Sequence, residues 1–457
     1  LNSNGIDTVS SMERTDVIIV GGGFTGLATA MALARQGRQV TVFEARVGRN
    51  PAFRGELIHP PGVQGLRELG FFPALRARGG VDVTGFAVFP EGRTTAVELP
   101  YEPAPRGAGN GFAIAHHDLV DTMRAVVAAH PLVTLSLGER VLDVLRSGGR
   151  VVGVRTTGRE VRAPLTLVCE GRHSRLRSAL GIDEQSVLLS YTVALLAEGA
   201  ALPYPQHGHV IVGPPGPVLA YPIDGAVRFC IDVPVDTPRG REAIARRLAE
   251  TYAPKLPKGV AEAMLGALDT GPLELCATQQ VRTGECVVPG AGLVGDAGGC
   301  SHPLTATGMT SSLNDVRALA SELLGVYDEV GIDRALRRYE RRRYRYVRAR
   351  EMLTERLYDV FLARDDGMRA LLGGMLDYWQ GSSRARVASM ALLSGQRTDV
   401  ASFVKEFAVV FGYAVAGTVR HGEGALQTRA EALVQLTRAT HSTFARAAKT
   451  TLGELLR

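Results

Sequence analysis

"TDVIIVGGGFTGLATAMALARQGRQVTVFEA" (residues 15–45) reads as strand, turn, helix and strand. Residues 16–20 are a short apolar run of the kind that suits a buried parallel strand. Gly21, Gly23 and Gly26 then form a G-x-G-x-x-G turn that also carries Phe24 and Thr25. In such a turn the first glycine permits a sharp bend and the second lets the backbone approach a pyrophosphate. The third allows helix to pack closely on strand. The pattern predicts a helix over about 25–36, ending at Gly37, with its N-terminal amides aimed at the phosphates. Residues 39–44 give a second strand. Glu44, followed by Ala45, stands where an acidic side chain grips the ribose hydroxyls of an adenosine. Three glycines alone are weak evidence. The strand before them, the helix after them and the acidic residue at the right distance make the stretch a dinucleotide site. NAD and FAD both fit this unit.

The rest of the chain bounds what such a site serves. With 457 residues, 45% hydrophobic and 21% charged, it has ordinary globular composition and length for two or three domains. Its 53 glycines point to close backbone approaches, often to a ligand. Cys169, Cys230, Cys276, Cys286 and Cys300 are an odd count with no C-x-x-C pair. That argues against a disulfide framework and a zinc site, and for a reducing compartment. The opening "LNSNGIDTVSSMER" is polar and lacks the regions of a secretory signal, and Met12 reads as a natural start. No continuous apolar run of about 18 residues occurs, so no spanning helix is expected. The net charge of +6 is concentrated in "LRRYERRRYRYVRAR" (residues 336–350). Such a run is ordinarily a solvated helix face, and acidic lipid headgroups are the alternative. No nucleic-acid module accompanies it, so nucleic acid is not expected as a partner.

Two further motifs choose the cofactor. "LTLVCEGRHSRLRSALGI" (residues 165–182) is a buried strand, then Glu170-Gly171, then a basic helix start. "GLVGDAGGCSHP" (residues 292–303) is a short strand ending in Gly295-Asp296. The chain continues through Pro303 and Leu304 to a helix entered near Gly308 and Met309. A small-residue turn followed by a helix N-terminus is a seat for negative charge. With the first fingerprint, these motifs resemble the triple signature of the p-hydroxybenzoate hydroxylase-like flavoprotein monooxygenases. The resemblance implies FAD, with Asp296 bonding its ribityl chain. It also implies that the helix after residue 308 faces the pyrimidine side of the ring, where reduced flavin carries negative charge. The middle motif departs from the usual Asp-Gly. Glu170 keeps the acceptor but is one methylene longer, which shifts its contact.

Within that superfamily the chain is most similar to the squalene epoxidases. The segments that carry the likeness are "RGELIHPPGVQGLRELG" (residues 54–70), "GPVLAYPIDGAVRFCIDVP" (216–234), "SHPLTATGMTSSLND" (301–315) and "ALLSGQRTDVASFVKEFAVVFGYAV" (391–415). They occur in the family's order, and the likeness runs from Thr15 onward. It implies flavin contacts at Glu44, Arg54, Arg124, Val141, Asp296 and Met309, and substrate contacts at Tyr221 and Leu304. His59 stands where the family has a glutamine before proline. Tyr101 matches a tyrosine that pairs with that glutamine beside the flavin, so the two are the catalytic candidates. A histidine titrating near its ordinary pKa of about 6.5 makes coupling of reductant to product depend on pH. The hairpin also stands on its own chemistry, since 218–223 and 226–233 flank Asp224-Gly225, a type I′ turn signal. His116, His117 and His302 show no metal-ligand spacing, so no metal is expected, and His302 reads as a brace for its own loop.

The resemblance implies a fold and an activity. The fold is α/β: a Rossmann-type FAD-binding domain (14–81, 113–185 and 285–335), an inserted, mostly antiparallel β-sheet substrate domain (82–112 and 186–284) and a C-terminal helical region (336–457). The activity is FAD-dependent epoxidation. One oxygen atom of O2 passes, through a flavin C4a-hydroperoxide, to an alkene of a lipophilic polyprenyl or polyene-type substrate. NADPH supplies electrons directly or through a partner reductase. Three other functions fit the same motifs: an aromatic-ring hydroxylase or epoxidase acting on a prenylated heteroaromatic compound, a prenyl-chain reductase, and a non-catalytic FAD or lipid carrier. Residues 407–419 are too short to span a bilayer but suit an amphipathic patch. The expected location is the cytoplasm, with peripheral membrane contact as an open variant.

Overall fold

The computed structural model describes residues 13–49, 53–102, 109–421 and, with breaks at 439, 442 and 446, 431–448. Met12 lies outside them. Strand Val17–Val20, helix α1 (Phe24–Ala34) and strand Val40–Glu44 form the expected unit. Both strands belong to a six-stranded sheet ordered Val287–Val288, Ala291–Leu293, Leu165–Val168, Val17–Val20, Val40–Glu44, Val133–Leu137. Every neighbouring pair is parallel except the first. Val17–Val20 is buried throughout, and every residue of α1 but Thr25 is buried. That burial explains why strand and helix read as nearly continuous apolar runs. The helix closes two residues earlier than the spacing predicts. Gln36 and Gly37 donate back to Leu33 and Ala34, and Gly37 takes φ +85°.

The second large sheet has eight strands, ordered Gly299–Cys300, Glu274–Thr283, Glu184–Glu198, Ala226–Val233, Val218–Ile223, His207–Ile211, Gly85–Phe89, Val97–Pro100. It is mostly antiparallel, as expected, and the pair Gly85–Phe89 with His207–Ile211 runs parallel. The predicted hairpin has its predicted bounds, with Ile223 opposite Ala226. Asp224 and Gly225 both take positive φ, 34° and 76°, as a type I′ turn requires.

Helix α2 (Pro60–Glu68) packs its Gly65 against Leu313 of helix α3 (Gly308–Leu323). The 34-residue helix α4 (Glu329–Leu362) follows. Leu357, Val360 and Phe361 of α4 share one apolar core with Val88, Leu99 and Tyr221 of the large sheet and with Trp379 and Ala414.

Two expectations are corrected here. Residues 336–350 are neither a uniformly solvated face nor a single basic patch. Arg337, Arg338, Arg341, Arg342 and Arg345 are exposed, whereas Leu336, Tyr339, Arg343 and Val347 point inward and are buried. The spacing of 3, 4 and 4 residues among the inward side chains is that of one helix face. The C-terminal apolar segment is also longer than it reads. It belongs to helix α5 (Val400–His421), and Val400–Arg420 is long and apolar enough to cross a membrane by length and composition alone. Lys405 and Glu406 interrupt the apolar run in sequence, but Glu406 accepts hydrogen bonds from Tyr378 and Ser389 within the protein.

Candidate active site

The glycine turn is shaped by contacts that exclude side chains. Gly21 has φ +107°, and a Cβ there would lie 2.6 Å from the Cys169 carbonyl oxygen. A Cβ on Gly26 would lie 1.8 Å from the Gly21 oxygen, so helix and turn meet backbone to backbone. Gly23 differs: a Cβ would meet nothing within 4 Å, because this residue faces the cavity. No side chain caps α1 at Gly23, and its first turn carries no acid. Glu44 accepts from the Gly22 amide at 2.8 Å and from the Arg46 amide at 2.9 Å, which fixes the turn against the second strand.

The turn opens on a cavity of about 670 Å³. Its wall includes Gly21, Gly23, Phe24, Thr25, Glu44, Ala45, Arg54, Arg124, Val141, Glu170, Gly171, Asp296, Pro303, Leu304, Gly308, Met309 and Tyr221. Three chain segments far apart in sequence therefore converge as expected. Four candidates lie off this wall: Gly26 and Gly295, whose roles are packing, and His59 and Tyr101.

The charged groups sort by what they already hold. Arg54 donates to the Phe53 carbonyl at 3.0 Å, and burial, with Arg172 nearby, lowers its pKa. Arg124 lies 3.8 Å from Asp121. Glu170, on the cavity wall, has one oxygen engaged by its own loop. That oxygen accepts from the Ser174 hydroxyl at 2.7 Å and from the Arg175 and Leu176 amides at 3.2 Å each. The extra methylene lets it reach its own loop and cap the short helix behind it. Asp296 is the opposite case. It is half-buried, and among the described residues no protein hydrogen bond reaches its carboxylate. Burial pushes its pKa up, while Arg350 and Arg172 oppose that shift. A carboxylate that faces a cavity without a protein donor is free to accept from a ligand or from water. Helix α3 likewise begins at Gly308 with no side-chain cap and no acid in its first turn.

His59 and Tyr101 are hydrogen-bonded, as the family pairing implies, but behind the cavity wall. His59 Nδ1 lies 2.6 Å from the Tyr101 hydroxyl, and Nε2 lies 2.6 Å from the Thr305 carbonyl oxygen. A carbonyl only accepts, so Nε2 carries the proton and Nδ1 accepts from Tyr101. Full burial lowers the His59 pKa to about 4. This corrects the expectation of a titration near neutrality: desolvation keeps the ring neutral. The pair therefore holds Thr305 in the turn that follows Pro303 and Leu304. His302 grips the same turn, accepting from the Leu304 amide at 3.1 Å, with its Nε2 3.1 Å from Asp232.

Sequence reasoning missed two groups. Tyr221 lines the cavity, but its hydroxyl donates to Glu56 at 3.2 Å, and Arg228 holds the same carboxylate through two bonds of 2.8 and 3.0 Å. Glu56 is 4% exposed. Its place inside the quoted "RGELIHPPG" segment was the available signal. The second group, Asp315 with Arg343, is described below. Among the described residues no cluster suits a metal ion. Burial pushes the Cys169, Cys230 and Cys300 thiols up to about 12, so none offers a thiolate near neutrality.

A parallel sheet ending in a glycine turn, an uncapped helix start on either side of one cavity and an aspartate between them with no protein hydrogen bond suit an FAD-binding oxidoreductase. A family model described as squalene epoxidase matches residues 162–431, and one described as FAD dependent oxidoreductase matches residues 16–72. Squalene epoxidase 3 of Arabidopsis thaliana is 31% identical over 91% of this chain and 81% of its own length. Squalene epoxidase erg1 of Schizosaccharomyces pombe is 28% identical over 91% and 93%. Among solved structures, the flavin-dependent brominase Bmp2 superposes with a TM-score of 0.70 at 17% identity, covering 89% of this chain and 99% of its own. PqsL of Pseudomonas aeruginosa, in complex with 2-aminobenzoylacetate, gives 0.65 at 20% identity, over 83% and 99%. These two show the shared fold. The chain belongs to the squalene epoxidase family, and it is an FAD-dependent monooxygenase.

Proposed function

We propose that this enzyme transfers one oxygen atom of O2 to an alkene of a long, lipophilic polyprenyl or polyene-type substrate. The observation that carries the reading is the single cavity joining the glycine turn and Asp296 to Val210, Leu219, Tyr221 and Leu304 of the sheet and the proline turn. FAD, when bound and reduced, supplies the oxygen-activating chemistry there. The chain's own residues bind, orient and exclude water. Gly21, Gly23 and the start of α1, with Arg124, hold the pyrophosphate, and Glu44 the adenosine ribose. Asp296 takes the hydroxyls of the sugar chain. Pro303, Leu304, Gly308 and Met309 seat the ring against the start of α3, whose positive end favours its anionic form. His59 and Tyr101 brace that seat from behind the cavity wall, and His302, on the wall, holds Leu304. No acid–base dyad among the chain's own residues is needed, because bound FAD would supply the oxygen-transfer chemistry.

In this reading residues 14–81, 113–185 and 285–335 serve FAD, and 82–112 with 186–284 roof the substrate. NADPH is the electron source, directly or through a partner reductase. Helix α5 exposes Val409, Tyr413 and Val419, which fits peripheral contact with a membrane that holds the substrate. Purified enzyme should consume O2 and NADPH, with a reductase added if required, faster when polyprenyl alkenes are supplied. Fully saturated analogues of the same length should not stimulate product formation. A panel in which no alkene yields an oxygenated product would overturn the substrate class. Aromatic-ring hydroxylation would instead appear as a phenol from a prenylated heteroaromatic member of that panel.

A further inference from the structure

The inward face of α4 reaches the last FAD motif through a buried ion pair. Arg343 Nε donates to Asp315 Oδ2 at 2.9 Å, and the two residues are 6% and 1% exposed. The same Asp315 oxygen accepts from the Gly295 amide at 2.8 Å, while Arg343 Nη2 donates to the Gly295 carbonyl at 3.3 Å. Both backbone groups of Gly295 are thus gripped, one by each member of the pair. Tyr346 donates to the other Asp315 oxygen, and Tyr339 donates to the Leu293 carbonyl at 3.0 Å. The turn is confined from both sides. A Cβ on Gly295 would lie 2.7 Å from the Thr25 hydroxyl of α1, and a Cβ on Gly298 would lie 3.0 Å from the Arg343 guanidinium carbon.

Asp315 is carried by α3, Arg343 by α4, and Gly295 by the turn next to Asp296. Buried ion pairs contribute little net stability compared with apolar residues of similar volume. An apolar pair, however, neither accepts from the Gly295 amide nor donates to its carbonyl. We infer that Asp315 and Arg343 are positioning residues for the cofactor: they fix the Gly295–Asp296 turn relative to the start of α3, so that Asp296 and the helix end meet bound FAD together. The inference rests on the FAD reading of Asp296. It also gives the inward half of the basic run a task unrelated to membrane charge.

The test uses apoprotein reconstituted with FAD, read by quenching of flavin fluorescence and by the visible circular dichroism of the bound ring. The double variant Asp315→Leu/Arg343→Met leaves no unpaired charge. It should keep the wild-type far-ultraviolet spectrum and cooperative apoprotein melting, yet bind FAD at least about tenfold more weakly with altered visible dichroism. Arg343→Lys, which keeps the ion pair, should recover most of that affinity. A folded double variant that binds FAD within about twofold of wild type would overturn the inference. If the double variant does not fold, Tyr346→Phe decides. Weakening of its FAD binding at unchanged apoprotein melting supports the inference, and wild-type affinity overturns it. Wild-type apoprotein that takes up no FAD would instead overturn the cofactor reading itself, and the inference with it.

Discussion

Replacement of His59 by glutamine separates a buried neutral histidine from a titrating one. In the structure His59 accepts from Tyr101 and donates to the Thr305 carbonyl. Glutamine offers one acceptor and one donor group in the same chemistry, so the variant should fold and bind FAD nearly as the wild type does. The difference lies in proton linkage. The folded-state pKa of His59 is lowered to about 4, against 6.5 in the unfolded chain. A lowered histidine pKa means that the unfolded state binds the proton first. The stability it contributes is complete above the unfolded pKa and is lost as pH falls through it toward the folded value. Between pH 7 and pH 5 that loss is about 2 kcal/mol, and by pH 4 about 3 kcal/mol. Burial likewise lowers His116 and His209 to about 4, but both remain in the variant and cancel in the comparison. Urea unfolding of wild type and His59→Gln at the two higher pH values should therefore show the wild type losing about 2 kcal/mol more. Coupling of NADPH oxidation to product should be flat across neutral pH in both proteins. Equal acid losses, or a wild-type coupling profile that breaks near the ordinary histidine pKa, would refute the neutral buried assignment.

Asp296→Ala should weaken FAD retention by about 1.5–3 kcal/mol, the worth of a hydrogen bond to a charged acceptor, or roughly 10- to 150-fold in Kd, measured by flavin titration of the apoprotein. Glu56→Gln strips the charge partner from a nearly buried Arg228 and should cost about 3 kcal/mol in unfolding free energy. Glu56→Leu/Arg228→Met should cost less than that single change. Val409→Asp/Val419→Asp on the exposed side of α5 should abolish flotation with liposomes while leaving FAD affinity unchanged; equal flotation of variant and wild type would leave α5 as ordinary packing.

The glycine turn, the hairpin and the start of α3 were legible because local chemistry dictates each. Gly21 and Gly26 leave no room for a Cβ, and Asp224-Gly225 supplies two positive φ angles. Long-range partnerships were not legible. Nothing in residues 336–350 says that Arg343 turns inward to Asp315, because a basic run on a helix has one face for solvent and one for the core, and composition does not assign them. The same holds for Glu56, whose partner Arg228 lies 172 positions away. The residue at position 59 was read correctly as Tyr101's partner. Its pKa was not, because desolvation is a property of the packed interior rather than of neighbours in sequence.

The most direct test of the central claim supplies isotopically heavy O2 to enzyme, FAD, reductant and a polyprenyl alkene. The product should be an epoxide carrying one heavy oxygen atom, with the second recovered in water. A product that is saturated at the alkene, or that takes its oxygen from solvent, would contradict monooxygenation.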